Sequence, residues 1–572
     1  MSSSKRYIIF AITLVPIVVF YGFSISYSIN VPWFDDIENI PYFLAQYLDA
    51  PSWYGKVAAL LRPNNEHRVL SARLIVYLQY LFTHTINFRI LNLIGNLTVL
   101  GIFLVISRAY LKHKGILYGL IPAAFFIFNL QFYSMTFMTI MSLQYQLIIF
   151  EVFLSFYLLT KPSKSAFLGA ILVALVGTYS MGNGVMGWPA GALFLLYLGQ
   201  WNRLIVWIIT GALAIVGYFS GYAFVQGNDE GFIYFFNHPF KVIIGFFAFT
   251  GGILDWFPRI TFEKRMLLPV IGGITIVSFF IYYVLGALSI STRWQRIVPA
   301  FARKHYKQNT YFQQLSPQWA AFWVSCFVYL FINSALVVFF RTRFDYQLVL
   351  WATYKIYPGT LMAMTCLLSL QIFRWRLHSL LVIVFIGISL VSWASSYWHF
   401  VPQVTQDRKQ RLAFALNQQR NGVGLGAEKK SAFAEFVVKT FERSKSHGFY
   451  QFPQPLISSQ ESRLEALFRD STQLKTGVNV KTEMLPYGLE VYNDSFEFVN
   501  SKEEGVFVTL TSPTHFYVFS AEPLLHRSRT QKGFRINCPK GVIENDTYQV
   551  GLWVVQKNGN QLWNTQQSVT FP

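Results

Sequence analysis

NEHRVLSARLIVYLQYLF, residues 65–82, decides how the rest of this 572-residue chain is laid out. The run is apolar enough to be taken for a membrane-spanning helix. Arg68 and Arg73 lie inside it, however, and counting it as a span would export the basic cluster Arg108, Lys112 and Lys114, against the bias that keeps Lys and Arg on the cytoplasmic side. Taking 66–83 as a helix lying along the interface makes 88–110 the second span and returns that cluster to the inside.

Working outward, Lys5 and Arg6 precede an apolar stretch from Tyr7 to about Tyr27 without a small-residue cleavage site, which reads as a retained first helix with its N-terminus in the cytoplasm. Residues 29–87 then form a long first outer loop. Further spans are expected near 116–131, 142–160, 165–181, 185–199, 203–225, 266–289, 317–340, 356–372 and 378–398, about eleven in all. This leaves KPSK (161–164), Arg203, the run Arg293, Arg296, Arg303, Lys304, Lys307, and Arg374 with Arg376 inside. Segment 238–254 is apolar enough to span, but counting it would export the basic 290–310 loop, so it is read as re-entrant or interfacial.

Composition agrees. The chain is 53% hydrophobic and 13% charged, where soluble proteins carry roughly a quarter charged residues. Of the net charge of +20, most falls in residues 1–399, with 27 Lys+Arg against 11 Asp+Glu, and little in 400–572, with 20 against 16. Basicity confined to membrane loops reports topology and lipid phosphates, which argues against a nucleic-acid partner. The three cysteines, Cys326 and Cys366 in apolar spans and Cys538 in the tail, make no disulfide framework.

An odd number of spans places 400–572 outside as an extracytoplasmic α+β domain, separate from the 1–399 membrane domain. Residues 403 to about 445 are polar and helix-prone, and a second helix is expected near 459–470. From about 488, short alternating runs predict a small antiparallel sheet or β-sandwich, with Asn558-Gly559 as a hairpin turn.

Five of the 11 acids of the membrane half crowd between positions 35 and 66: Asp35, Asp36, Glu38, Asp49 and Glu66. Carboxylates gathered at a membrane boundary repel one another and lose solvation, so they suit cation binding, proton abstraction or pairing with Arg. They also suit the solvation of a loop and the capping of a helix starting near Ile37. The stretch Asn64–Arg68 packs Asn65, Glu66, His67 and Arg68 together, as a polar site or as an intra-loop ion-pair and capping network. In FRTRFDYQ (340–347), Arg341 and Arg343 beside Tyr346, with Lys355 further on, break the positive-inside pattern, and an Arg fork matches a phosphate. Single arginines there also serve as snorkelling interface residues. The outer loops 129–137 and 179–188 are rich in aromatics, Gly and Asn, which fits sugar stacking as well as an interfacial aromatic belt. No Walker loop, GxSxG elbow, HExxH or CxxC occurs, which removes support for ATPase, serine-hydrolase and zinc-peptidase readings.

Asp35-Asp36 directly after the first helix, the NEHR loop helix and the many-span layout of 1–398 together resemble the C-fold superfamily of integral-membrane glycosyltransferases, nearest to bacterial members that modify surface polysaccharides, including O-antigen glucosyltransferases. The resemblance implies a hexosyltransferase in the bacterial cytoplasmic membrane. It would take a sugar from a polyprenyl-phosphate donor to a hydroxyl of a polysaccharide or lipid-linked glycan on the outer face, inverting the anomeric centre. Asp35 or Asp36 would be the base, and His67, Arg68, Arg341 and Arg343 would hold the donor phosphate. Glu38, Glu66, Asn65, Tyr346 and Lys355 would support them or the acceptor. Asp36 and Glu38 leave room for a Mg²⁺ or Mn²⁺ ion without requiring one. A lipid-linked oligosaccharide flippase would be expected to show ionisable residues deep in spans, where only Glu151 stands. An O-antigen polymerase or ligase would use Arg341 and Arg343 but give the acids no role.

Overall fold

A computed structural model describes residues 3–64, 67–112, 115–221, 230–373, 378–470, 474–524 and 530–571. The chain is mostly helical and ends in two antiparallel sheets. Among the described residues, seven helices are long and apolar enough to cross a membrane, or eight if the bent pair Glu230–Asn237 and Pro239–Thr250 counts as one span. The remaining expected spans are helical but shorter: Leu117–Ile127, Lys164–Ser180 and Ile356–Ile372 fall below that length, as does Gly187–Leu198. Segment 238–254, expected to be re-entrant or interfacial, supplies the second helix of the bent pair, which turns by 101° at His238.

Two compact units divide the chain. The first comprises 1–25, 57–75 and 92–400; the second comprises 26–56, 76–91 and 401–572. The cut at 400 falls at the expected domain boundary, whereas most of the first loop goes with the tail.

In the first unit the connections sort to two ends. At one end, Arg203 donates to the carbonyl of Lys161, Arg293 to that of Leu198 (3.0 Å), and Asn309 to that of Ile372 (3.1 Å). Gly199 closes helix Gly187–Leu198 in the left-handed conformation (φ 62°), and the Arg293 guanidinium fills the space a Cβ would need. At the other end, Gln131 donates to the carbonyl of Ile253 (2.8 Å), Lys355 to that of Gly252 (2.7 Å), and Ser395 to that of Trp256 (2.7 Å). Arg203 and Arg293 therefore stand at one end, with the carbonyls of Lys161, Leu198 and Ile372, a grouping that does not depend on how 66–83 is read; Arg374 and Arg376 lie outside the described residues.

That stretch forms helix Leu70–Thr83, while His67 stays extended and exchanges backbone hydrogen bonds with Asn64 (2.7 and 2.8 Å). Its two arginines end helix Trp53–Leu61. Arg68 donates to the carbonyl of Leu61, and Arg73 to those of Ala59, Leu60 and Arg62. Four carbonyls left open at a helix C-terminus are thereby satisfied by cations that the helix dipole favours. Elsewhere in this unit the bent pair packs backbone to backbone on helix Leu267–Ile290. A Cβ on Gly251 would lie 2.0 Å from the Pro269 carbonyl oxygen, and one on Gly273 would lie 1.9 Å from that of Phe247.

The second unit begins with helical turns from Asp35 to Asp49, widened over Glu38–Tyr42 around Pro41, which has no N–H to give to the ladder. Helix His378–Asn421 joins the expected last span to the expected tail helix without a break, despite Pro402; helix Ala432–Ser446 follows, capped by the Ser431 hydroxyl accepting from Ala434 N–H (3.1 Å). The expected helix near 459–470 is present as Glu461–Arg463 and Leu464–Arg469. Strands begin at Lys481, earlier than expected: β1 Lys481–Leu485, β2 Gly488–Val499, β3 Gly505–Thr511, β4 Phe516–Ser520, β5 Glu522–Pro523, β6 Thr530–Pro539, β7 Thr547–Val555 and β8 Gln561–Thr570. They form sheets ordered β1-β2-β6-β5 and β4-β3-β7-β8 around one apolar core that also receives Val31, Ile37, Leu412 and Leu416. The β7–β8 hairpin turns at Gly559 (φ 121°), as its Asn-Gly pair predicts. The first-loop turns are held here by Tyr42 against Phe436 (4.7 Å between centroids) and Trp33 stacked on Phe414 (5.7 Å).

Candidate functional site

Of the expected site residues, His67, Arg68, Arg341, Arg343, Tyr346 and Lys355 belong to the first unit, and Asp35, Asp36 and Glu38 to the second. Asn65 and Glu66 lie outside the described residues.

In the first unit, a cavity of about 250 Å³ opens where several helix ends and turns meet. His67 and Arg341 both line it, with Tyr145, Asn183, Tyr218 and Tyr354. His67 comes from the extended loop, Arg341 from the last turn of helix Pro317–Arg341, and Asn183 from the turn Gly182–Met186 that the sequence marked as YSMGNGVMGW. Asn183 donates to the Tyr357 hydroxyl (3.1 Å), which fixes its amide. The walls between these polar groups are apolar, among them Met181, Leu336 and Phe340. Leu336 and Phe340 also line a second cavity of about 540 Å³ whose other walls are wholly apolar, including Phe232, Phe235, Ile243 and Phe246. A cation, an imidazole, an amide and phenols thus stand beside a greasy trough, the division of surface that an anionic head on a hydrocarbon chain presents.

Arg68 does not line this cavity. Its Nε donates to the carbonyl of Tyr218 (2.8 Å) and its Nη2 to that of Ser220 (2.6 Å), besides Leu61, so its guanidinium ties the loop to the end of helix Trp201–Phe219. Arg343 lies over the Phe344 ring (4.5 Å), and the Tyr346 hydroxyl donates to the carbonyl of Lys241 (2.9 Å). Lys355 is buried in an ion cluster whose other members the sequence did not single out. Asp255 accepts from Lys355 Nζ (2.9 Å) and, through both oxygens, from Arg265 Nε (2.7 Å) and Nη2 (2.5 Å). Burial would raise the Asp255 carboxyl, but Lys355 and Arg265 outweigh it and hold it below the ordinary range. Glu151, singled out in the sequence as the ionisable residue inside a span, gains partners the sequence did not name: its buried Oε1 accepts from the hydroxyls of Ser71 (2.8 Å) and Ser180 (3.3 Å), the latter one residue before the cavity wall at Met181.

In the second unit the two adjacent acids differ. The Asp36 side chain is buried, and its Oδ2 accepts from the Trp33 N–H (3.0 Å), closing the turn in front of the helix. Asp35 faces outward, and its carboxyl is raised above the usual range by burial of part of its surroundings and by the Glu38 charge one turn on. Phe34 before them takes a positive φ of 47°, a strained conformation for a side chain with a Cβ, and its ring lies against Gly426. Asp49 pairs with Arg443 and with His447 (2.7 Å) of helix Ala432–Ser446 and its cap. Among the described residues no three His, Cys, Asp or Glu side chains gather as a metal site; Asp36 and Glu38 alone would offer a divalent ion two carboxylates.

Set against models of known protein families, against curated proteins and against solved structures, the chain matches none.

Proposed function

We propose that this chain is an integral-membrane glycosyltransferase that takes a sugar from a polyprenyl-phosphate donor to a hydroxyl of a surface polysaccharide or lipid-linked glycan. The observation that carries the reading is the paired cavity of the first unit, with His67 and Arg341 at its polar end and a trough of Phe and Ile side chains beyond the shared wall at Leu336 and Phe340. In this reading the trough takes the prenyl chain, and Arg341 and His67 neutralise the phosphate as the sugar–oxygen bond breaks. Asp35 would be the base, as the sequence resemblance implies; Asp36 closes the turn beside it. The eleven-span layout, the cytoplasmic side for the basic loops and the outer side for residues 400–572 belong to the same proposal.

The test uses the full-length protein in nanodiscs. Arg341→Gln removes a charge-assisted contact and should weaken polyprenyl-phosphate binding by about tenfold or more. Asp35→Asn should leave that binding intact and abolish sugar transfer, read by mass spectrometry of cell-surface glycan. Wild-type binding in Arg341→Gln together with normal transfer in Asp35→Asn refutes the assignment. A second reading, a proton-coupled flippase for lipid-linked oligosaccharide, draws on the buried Glu151–Ser71–Ser180 group; it requires that a pH gradient drive lipid movement and that Glu151→Gln stop it.

A further inference from the structure

The second unit contains a cleft of about 580 Å³ between helix Ala432–Ser446, the end of helix His378–Asn421 and the segment 450–454, within the roughly 300–1,000 Å³ usual for small-ligand sites. Its lining divides into three kinds of surface. Three aromatic rings form one side: Phe441 and Phe452 are 4.7 Å apart between centroids, Tyr450 and Phe452 5.7 Å, and Phe441 and Tyr450 6.0 Å. Tyr450 is buried as the floor, its hydroxyl donating to the carbonyl of Asn30 (3.0 Å), whereas Phe441 and Phe452 keep part of their surface open.

Amides form the second. Gln418 is spent inside the fold, donating to the carbonyl of Gly422 (2.7 Å). Gln419, Gln451 and Gln454 are exposed. The third is a rim where Glu442 and Lys445 offset each other, so the cleft has no net charge.

Apolar ring surface beside several amides, each able to donate and accept, and no net charge are what a sugar ring matches, with C–H faces on one side and hydroxyls around its edge. A phosphate or acidic ligand would meet the Glu442 carboxylate together with the Lys445 ammonium and gain no net attraction, and a hydrophobic helix would leave the amides unpaired. The cleft also adjoins the acid loop within the same unit. Tyr450 bonds Asn30, Trp33 stacks on Phe414 one turn before Gln418, and the Asp36 charge adds to burial in raising the Tyr450 phenol. We propose that this cleft binds a neutral oligosaccharide segment of the glycan that receives the sugar. The inference rests on the transferase reading for the role of that glycan, and on the cleft alone for its chemistry.

The experiment is saturation-transfer NMR of full-length protein in nanodiscs with maltohexaose, isomaltohexaose and cellohexaose as neutral probes and hexagalacturonate as an acidic one. At least one neutral probe should receive saturation from the wild type. Gln451→Ala and Gln454→Ala, both at exposed positions, should each weaken it roughly three- to tenfold, and Phe441→Ala should abolish it. Failure of every neutral probe, unchanged binding in both glutamine variants, or equal binding of hexagalacturonate overturns the proposal. Polyprenyl-phosphate binding measured on the same variants should stay at the wild-type level. Sugar binding without donor binding therefore sinks only the transferase reading, and donor binding without sugar binding sinks only this one.

Discussion

Replacing Asp255 by Asn should unbalance the first unit in a way that a second substitution repairs. The Asp255 carboxylate is 1% exposed and meets Lys355, 3% exposed, and Arg265, 17% exposed. Removing one partner of a buried ion pair costs about 3–5 kcal/mol, because it leaves an uncompensated charge. Arg265 keeps some access to water and a contact to the Leu350 carbonyl (3.3 Å), which argues for the lower end, about 3 kcal/mol. Lys355 has less relief. Burial already pulls its ammonium down to about 8 against the pull of Asp255, and without Asp255 it falls further. The folded Asp255→Asn protein then refuses a proton that the unfolded chain binds, so its stability rises as pH climbs from below the wild-type Lys355 value to the ordinary lysine range at about 10. Lys355→Met added to Asp255→Asn removes that buried charge and should recover most of the loss. The assay is denaturation of detergent-solubilised protein, completed as a double-mutant cycle. A loss under about 1 kcal/mol, or a double variant no more stable than Asp255→Asn, refutes the buried triad.

Asp49 should titrate below the ordinary aspartate range, because Arg443 first and His447 second favour its charged form; the contact is therefore present above about pH 4 and lost as pH falls through the depressed value, visible as faster amide exchange in Phe43–Asp49. Lys430 has a positive φ of 59° and an exposed side chain, so Lys430→Gly should leave stability unchanged or raise it by up to about 1 kcal/mol in chemical denaturation. Gly273→Val places a side chain onto the Phe247 carbonyl and should leave little folded protein by size-exclusion chromatography, while Gly387→Val, with open space around it, should not.

The apolar runs were legible because a helix of sufficient length and hydropathy needs no partner to be recognised. The grouping of Lys161, Arg203 and Arg293 at one end followed from charge alone. What the sequence concealed was which residues the long loops bring home. Arg68 reads as a phosphate ligand by its neighbours, yet its guanidinium meets carbonyls from residues 61, 218 and 220, the last two about 150 positions away. Asp255 stands 100 positions from Lys355, and no local spacing announces such a pair; an acid directly after segment 238–254 in so acid-poor a region was the one available signal. Arg341 and His67 were both singled out, and their common cavity links two loops that periodicity cannot join. Asp35 and Asp36 look alike as a dipeptide, and only the turn at Phe34 separates an exposed carboxyl from one bound to the Trp33 amide.

The glycine contact between the bent pair and helix Leu267–Ile290 bears on how the protein is made. Ribosomal synthesis delivers 230–250, bent by 101° at His238, before the helix it leans on. Its Phe247 carbonyl meets its neighbour only once Gly273 has emerged. The close approach of the two backbones is therefore a late contact in chain order, one that residues 230–250 complete only after the segment around Gly273 exists.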